Sequence, residues 1–303
     1  MPLTATKYYH SHTEWLFHCH IKIKLPIRCG VDVLEHCFDI LEEVDLRYNS
    51  YREGSFFDLI NRHAGSFVEV DPVTIQLLSC VKEVSRMVKG NYDVSIMPLL
   101  RLWGFYNPES VIAVPAAEEL HVTLEKVDYK NIEIQGNEVK IGIGQELTTG
   151  SFLKAYAVDC VLDYLRSEGV DDALINAGGS TICGVNATDN PEWKVRVSPP
   201  LQPEESGEEV SLANACLSLS GQDNNYLLIG DRRYSHILNA RTGMPSANLQ
   251  VMLITRSAFW GDVLATALMA SPVEELSDFS KELKRLHPFS GYLTDASLQR
   301  TTL

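Results

Sequence analysis

Residues 151–166, "SFLKAYAVDCVLDYLR", and residues 172–179, "DALINAGG", decide the fold class. The first stretch reads as a helix and the second as a buried strand closed by two glycines. Such glycines let a backbone approach a ligand closely, or simply make a turn. Upstream, "NIEIQGNEVKI" (131–141) reads as a hairpin turning near Gly136. A helix is expected from Pro72, a favoured first-turn residue, through Ile75, Leu78, Val81 and Val84 to a stop at Gly90. Another runs from Val31 to about Val44, with Leu34, Cys37, Phe38 and Leu41 at helical spacing. Residues 15–25, "WLFHCHIKIKL", alternate with strand period, placing Phe17, Cys19, Ile21, Ile23 and Leu25 on one face. His18 and His20 fall on the other face, as a solvated strand face or a metal pair. Downstream, short strands fill 193–255, broken by the acidic, Pro-rich "SPPLQPEESGEEV" (198–210), and helices follow over 258–269 and 273–286. Strands and helices mix without strict βαβ alternation, which makes the fold α+β.

The chain has 303 residues, 45% hydrophobic and 22% charged, enough for one large domain or two modest ones sharing a core. A net charge of −14 argues against nucleic acid as a partner. It also means that a polyphosphate ligand needs local help from a metal ion or backbone amides. The seven cysteines are scattered and show no CxxC pair, so reduced core thiols are expected rather than a disulfide framework or a zinc site. The opening residues carry Tyr8, Tyr9, His10 and His12 rather than a basic segment and an apolar run, so no signal peptide, lipobox or membrane span is read and the expected location is cytoplasmic.

Four stretches could carry chemistry. In "GDVLATAL" (261–268), Asp262 and Thr266 are four apart on a helix and share a face. They offer two hard oxygen ligands to Mg²⁺, or Asp262 caps the helix start and Thr266 is packed. In "TTGSFLKAYAVD" (148–159) a Gly-containing turn opens a helix, whose free N–H groups favour anions, and Lys154 either reaches a phosphate or is solvated. This is not a P-loop, whose lysine directly follows a longer Gly-rich loop. "YSHILNARTGMP" (234–245) sets His236 in an apolar strand ahead of a Gly-Met-Pro turn, in a structural or a catalytic role. "GNYDVSIMPLLRLWGF" (90–105) holds Tyr92, Trp103 and Phe105, which stack on a flat ring or fill the core.

Taken in order, these elements resemble the ApbE-like flavin transferase family from about residue 31 to 270. "NSYREGSFFDLIN" (49–61) supplies the family's early Tyr, Ser and Asn as Tyr51, Ser55 and Asn61. Its Gly-Ala-Phe-Asp and Leu-Trp-Gly-Phe elements look like Gly90-Asn91-Tyr92-Asp93 and Leu102-Trp103-Gly104-Phe105. Its Asp-Leu-Gly-Gly-Ile-Ala-Lys-Gly-Tyr-Ala motif aligns with Thr148 to Ala157, retaining Gly150, Lys154 and Tyr156. Trp193 and Val195, Ser220-Gly221, His236-Ile237, and Thr242, Gly243 and Pro245 follow, and Asp262 and Thr266 match the metal-binding Ala-Asp-x-x-Ala-Thr.

The resemblance implies an α+β, T-fold-like arrangement of mixed sheets and packed helices, with a ligand cleft between two subdomains. Residues 1–303 would form a single domain or two intertwined α+β subdomains. It further implies Mg²⁺-dependent transfer of FMN from the substrate FAD to a threonine of a target flavoprotein, releasing AMP. Tyr51, Asn91, Tyr92, Asp93, Thr148, Lys154, His236 and Ile237 would bind the flavin nucleotide. Asp262, Thr266 and the Ser151 carbonyl would hold Mg²⁺, with His236 as the base. Two alternatives stay open: a Mg²⁺-dependent FAD pyrophosphatase, which needs the same metal and phosphate groups, and a non-catalytic flavin binder, which departures from the pattern favour. Thr148 stands where the family has an Asp that contacts FAD, Gln222-Asp223-Asn224 replaces Asp-Tyr-Glu, and only Thr13 hints at the family's Met-Gly-Thr.

Overall fold

The computed structural model describes residues 8–106, 113–202, 207–222 and 225–303. Strands β1 (Tyr9–Leu16) and β2 (Cys19–Pro26) form a hairpin, and helix α1 (Val31–Tyr48) follows. The expected single strand over 15–25 is therefore two strands, because Phe17 and His18 both take positive φ (50° and 59°) and turn the chain. Such a two-residue turn normally announces itself by Asn or Gly. Without either, the alternation of side chains runs through it unbroken. Ile21, Ile23 and Leu25 are buried as their face requires.

Helix α2 (Phe56–Arg62) is capped by Ser55, and strand β3 (Val68–Glu69) leads to α3 (Pro72–Met87). Asp71 caps α3 by accepting from Thr74 N at 2.8 Å, with Pro72 at the first turn as expected. Helices α4 (Met97–Trp103) and α5 (Ala117–Leu124) precede the hairpin β4 (Glu133–Gln135) and β5 (Glu138–Lys140), which turns at Gly136. Helix α6 (Leu153–Ser167) then leads into β6 (Ala173–Ala177) and β7 (Thr181–Val185). Strands β8 (Trp193–Val197) and β9 (Glu208–Leu212) pair with each other, and β10 (Ala215–Gly221) returns to the main sheet. A further hairpin, β11 (Tyr226–Ile229) and β12 (Arg232–Ser235), is followed by β13 (Gln250–Thr255), α7 (Ala258–Met269), α8 (Leu276–Leu286), β14 (Ser290–Thr294) and β15 (Arg300–Thr302).

The main sheet has the order β1-β2-β6-β7-β10-β13-β14-β15, and each of these neighbouring pairs is antiparallel. Its two faces bury different sets of side chains, as the two-residue period of a strand requires. On β10 and β13, Cys216, Val251 and Leu253 join the large core beneath the helices. Leu217 and Met252 join a smaller core beneath β8 and β9. Helix α1 packs on α6, α6 on α7, and α7 on β10 and β13. The α7–β10 approach depends on Gly261, where a side-chain carbon would run into Ser218 and Thr255.

The α+β class expected from the sequence is what the chain adopts. Among the described residues, no helix is long and apolar enough to cross a membrane. The cysteines need a correction. Cys183 and Cys216, directly opposite in the β7–β10 register, are disulfide-bonded, while Cys19, Cys29, Cys37, Cys80 and Cys160 are free. Sequence spacing could not show this pair, because strand register alone brings the two together.

Candidate active site

A cavity of about 440 Å³ opens where the β1–β2 turn, the segment after α3, the start of α6, the β6–β7 turn and α7 converge. That volume is in the range of small-molecule and cofactor sites, roughly 300–1,000 Å³. One wall is α7. Ser257 caps this helix by accepting from Trp260 N at 3.2 Å, so Asp262 lies a full turn inside and is not the cap. Asp159 of α6 fixes the same helix end by accepting from Ser257 Oγ (2.6 Å), Ala258 N (2.8 Å) and Phe259 N (3.0 Å). With its start anchored there, α7 presents Asp262 and Thr266 to the cavity on one face, and Ser151 also lines it.

Lys154 is not a solvated helix lysine. Its ammonium donates to Ser180 Oγ at 3.1 Å, to Thr181 Oγ1, and to the Ala177 carbonyl and Asp262 Oδ2 at 3.4 Å each. Thr266 Oγ1 is 3.3 Å from Ser220 Oγ. Gly178 makes the neighbouring β6–β7 turn with φ of 68°, and a side chain there would collide with Cys19. Both glycines after the strand take positive φ in the turn, and Gly178 also lines the cavity.

Across the cavity, His236 is half-buried. Its Nδ1 donates to the Asn225 carbonyl at 2.8 Å, which leaves Nε2 as the lone-pair nitrogen. Burial moves its pKa below the ordinary histidine value, partly opposed by that hydrogen bond. Tyr92 is buried with its hydroxyl 2.8 Å from Ser151 Oγ, and burial raises its pKa. Asp93 also lines the cavity, but its carboxylate is occupied, accepting from Ser95 N and Oγ (2.8 Å each) and from Tyr129 N (2.6 Å). Burial raises its pKa to about 6 against those hydrogen bonds.

Thr148, Lys154, Tyr92, Asp93, His236 and Ile237 all line this cavity, together with Ser151, Asp262 and Thr266. Two of the residues expected to bind the nucleotide sit elsewhere. Tyr51 is exposed beside the lining residues Thr148 and Tyr106, its hydroxyl 3.2 Å from Thr148 Oγ1 and its ring against Tyr106. Asn91 is buried among other groups, accepting from Asn239 Nδ2 at 2.7 Å and donating to Glu275 at 2.9 Å. Trp103 and Phe105 belong to a core cluster with Leu238, and Trp103 Nε1 donates to the Gly243 carbonyl at 2.8 Å.

Thr13 lies in β1, paired with Lys22, and does not line the cavity. Asp223 and Asn224 of the altered Ser-Gly segment lie outside the described residues, while Gln222 is buried and donates to the Ser246 and Asn248 carbonyls. The lining residues sequence reasoning missed are chiefly Phe17 and Cys19 at the hairpin turn, with Tyr106, Ser180, Asn225 and Gln250. The histidine pair is split, His18 reaching the cavity and His20 packing its ring edge-on against Trp15. Burial raises the Cys19 thiol pKa.

Among the described residues, no group of three or more His, Cys, Asp or Glu could hold a metal ion. Asp262 shares the cavity with the hydroxyl residues Ser151, Ser180, Ser220 and Thr266, oxygen donors suited to a hard cation rather than to zinc, and with the Lys154 ammonium.

A family model described as the ApbE family matches residues 17–288. A protein of Vibrio cholerae serotype O1 named FAD:protein FMN transferase is 32% identical over 238 residues, covering 76% of this chain and 70% of that one. One of the same name from Klebsiella pneumoniae is 28% identical over 225 residues, covering 71% and 68%. Among solved structures, the ApbE protein of Thermotoga maritima superposes with a TM-score of 0.88 at 21% identity, covering 97% of each chain. The apo flavinyl transferase ApbE of Pseudomonas stutzeri superposes at 0.82 with 24% identity, covering 98% of this chain and 95% of that one. At these identities the structural likeness concerns the fold.

Proposed function

Because the chain belongs to the ApbE family, we propose that it is a flavin transferase that moves FMN from FAD to a threonine hydroxyl of another protein and releases AMP. The observation that carries this reading is the shared cavity. His236, with Nε2 free to accept a proton, lies in it with Tyr92, Lys154, Asp262 and Thr266.

The chemistry follows from that arrangement. The threonine oxygen attacks the FMN phosphorus, the bond from that phosphorus to the bridging oxygen breaks, and AMP leaves with that oxygen. A hydroxyl is a poor nucleophile near neutral pH, so a base is needed, and His236 Nε2 takes the proton. The lowered His236 pKa suits this role, since it keeps the imidazole neutral. Tyr92 supplies an aromatic surface in the cavity for the flavin, held in place through Ser151. Lys154 brings positive charge to the phosphate end. Asp262, Thr266 and the Ser151 carbonyl are the groups that would hold Mg²⁺. When bound there, the ion supplies charge neutralisation for the pyrophosphate and for the departing AMP.

A second reading, a flavin binder without chemistry, is favoured by Thr148. Where an acidic residue is expected, its hydroxyl instead accepts from Gly150 N at 3.3 Å and meets Tyr51. The deciding experiment measures AMP release from FAD with and without Mg²⁺, with a threonine-bearing acceptor peptide in parallel. AMP with a flavin-labelled peptide is the expected result. AMP with free FMN would make the protein a pyrophosphatase, and tight FAD binding without AMP would make it a binder.

A further inference from the structure

We propose that Thr181 is a positioning residue for the Asp262 carboxylate, a role that rests on reading Asp262 as a cation ligand. Thr181 opens β7 on the strand next to β10 and is fully buried. Its hydroxyl oxygen lies 2.8 Å from Asp262 Oδ2 and 3.0 Å from Oδ1, and it also contacts the Lys154 ammonium. An ammonium has donors and no acceptor, so Thr181 Oγ1 accepts from Lys154. Its own proton is then committed to Asp262.

The hydroxyl therefore stands between an ammonium and a carboxylate whose direct contact, at 3.4 Å, is longer than a good charge-assisted hydrogen bond of about 2.7–2.9 Å. Both side chains are largely shielded, at 16% and 14% exposure, so little water is at hand to replace it. Ser180 and the Ala177 carbonyl hold the ammonium from the side of the β6–β7 turn. With the hydroxyl removed, ammonium and carboxylate close on each other. Asp262 then turns from the face it shares with Thr266 and spends its charge on Lys154. The strand thereby sets how much of the carboxylate remains for a cation.

The test is binding of Mn²⁺, a paramagnetic stand-in for Mg²⁺, followed by electron paramagnetic resonance on the full chain without FAD. Thr181→Val keeps the branched shape of the side chain and deletes the hydroxyl. It is expected to weaken Mn²⁺ binding about tenfold or more, as fits the loss of a hydrogen bond to a charged group. Thr181→Ser should bind within about twofold of the parent, a rescue that a purely packing role would not give. Asp262→Ala should abolish the site. Melting temperature is measured alongside, and if the valine variant does not fold, Thr181→Ala takes its place in the same comparison. Parent-like Mn²⁺ affinity in the hydroxyl-free variant, with Asp262→Ala still deficient, overturns the role of Thr181 and leaves the metal reading standing. Parent-like affinity in Asp262→Ala, or no binding by the parent, removes the metal reading and this proposal with it.

Discussion

The Nδ1 of His236 donates to the carbonyl oxygen of Asn225 at 2.8 Å, a contact that ties the start of the β11–β12 hairpin to the residue that follows it. The imidazole is thereby held as the tautomer whose Nε2 carries the lone pair, on a side chain that lines the cavity. His236→Ala is expected to lower FMN transfer by about 10²- to 10⁴-fold, the usual contribution of a positioned base. The sign of the pH effect follows from the lowered pKa, since the active form is the neutral one. Activity should hold as pH falls through the ordinary histidine value of about 6.5 and fail only below it. A pH–rate profile checks this, and an acid limb centred above that value would contradict the assignment.

Asp262 lies a turn inside α7, with Ser257 as the cap, so its removal should leave the helix in place. Asp262→Ala is expected to cost about 100-fold or more in AMP release, in keeping with the several kcal/mol a metal contributes to charge stabilisation. The check is turnover as a function of Mg²⁺ concentration, with circular dichroism to confirm the helix. Full Mg²⁺-dependent turnover in this variant would end the assignment of Asp262 to the metal.

Asn239 is a stability residue just beyond the His236 segment. Its Nδ2 donates to Asn91 Oδ1 at 2.7 Å and to the Ala270 carbonyl at 2.9 Å, while Oδ1 accepts from Arg241 N and Thr242 N at 3.0 Å. Asn239→Ala orphans the buried Asn91 and Ala270 oxygens and also releases the Arg241 and Thr242 N–H groups, so a loss of about 2–4 kcal/mol is expected in urea unfolding. A change below about 0.5 kcal/mol would mean that water replaces the amide without cost.

Asp93 gives a prediction for stability against pH. Its folded value of about 6 stands above the ordinary 3.8, because burial outweighs its hydrogen bonds. The folded chain thus holds the proton more tightly than the unfolded chain. The favourable contribution is complete below the unfolded value and is lost as pH rises through the folded one. Relative to Asp93→Asn, the parent should lose up to about 3 kcal/mol between about pH 4 and about pH 7. Paired urea titrations across that range measure it, and a difference independent of pH would show that the carboxyl is not raised.

The linear chain determined most of the local structure, because periodicity and end signals act over a few residues. The spacing of Leu34, Cys37, Phe38 and Leu41 marks α1, Pro72 marks the start of α3, and Gly136 marks the β4–β5 turn. The order of short motifs likewise pointed to the family and to Asp262, Thr266 and His236 as candidates for one site. Tertiary structure alone decided what depends on partners distant in sequence. Phe17 and His18 turn the chain without the residues that announce a turn, and so bring Cys19 into the cavity. Lys154 and Asp262, 108 positions apart, meet only because α6 and α7 pack side by side, with Thr181 from β7 between them. Cys183 and Cys216 meet through strand register. Asn91 and Tyr51, both expected to bind the nucleotide, do not line the cavity; Asn91 is hydrogen-bonded to Asn239, and Tyr51 to the lining residue Thr148. A motif states which side chains are available, and the packing of helices on the sheet settles which of them share a space.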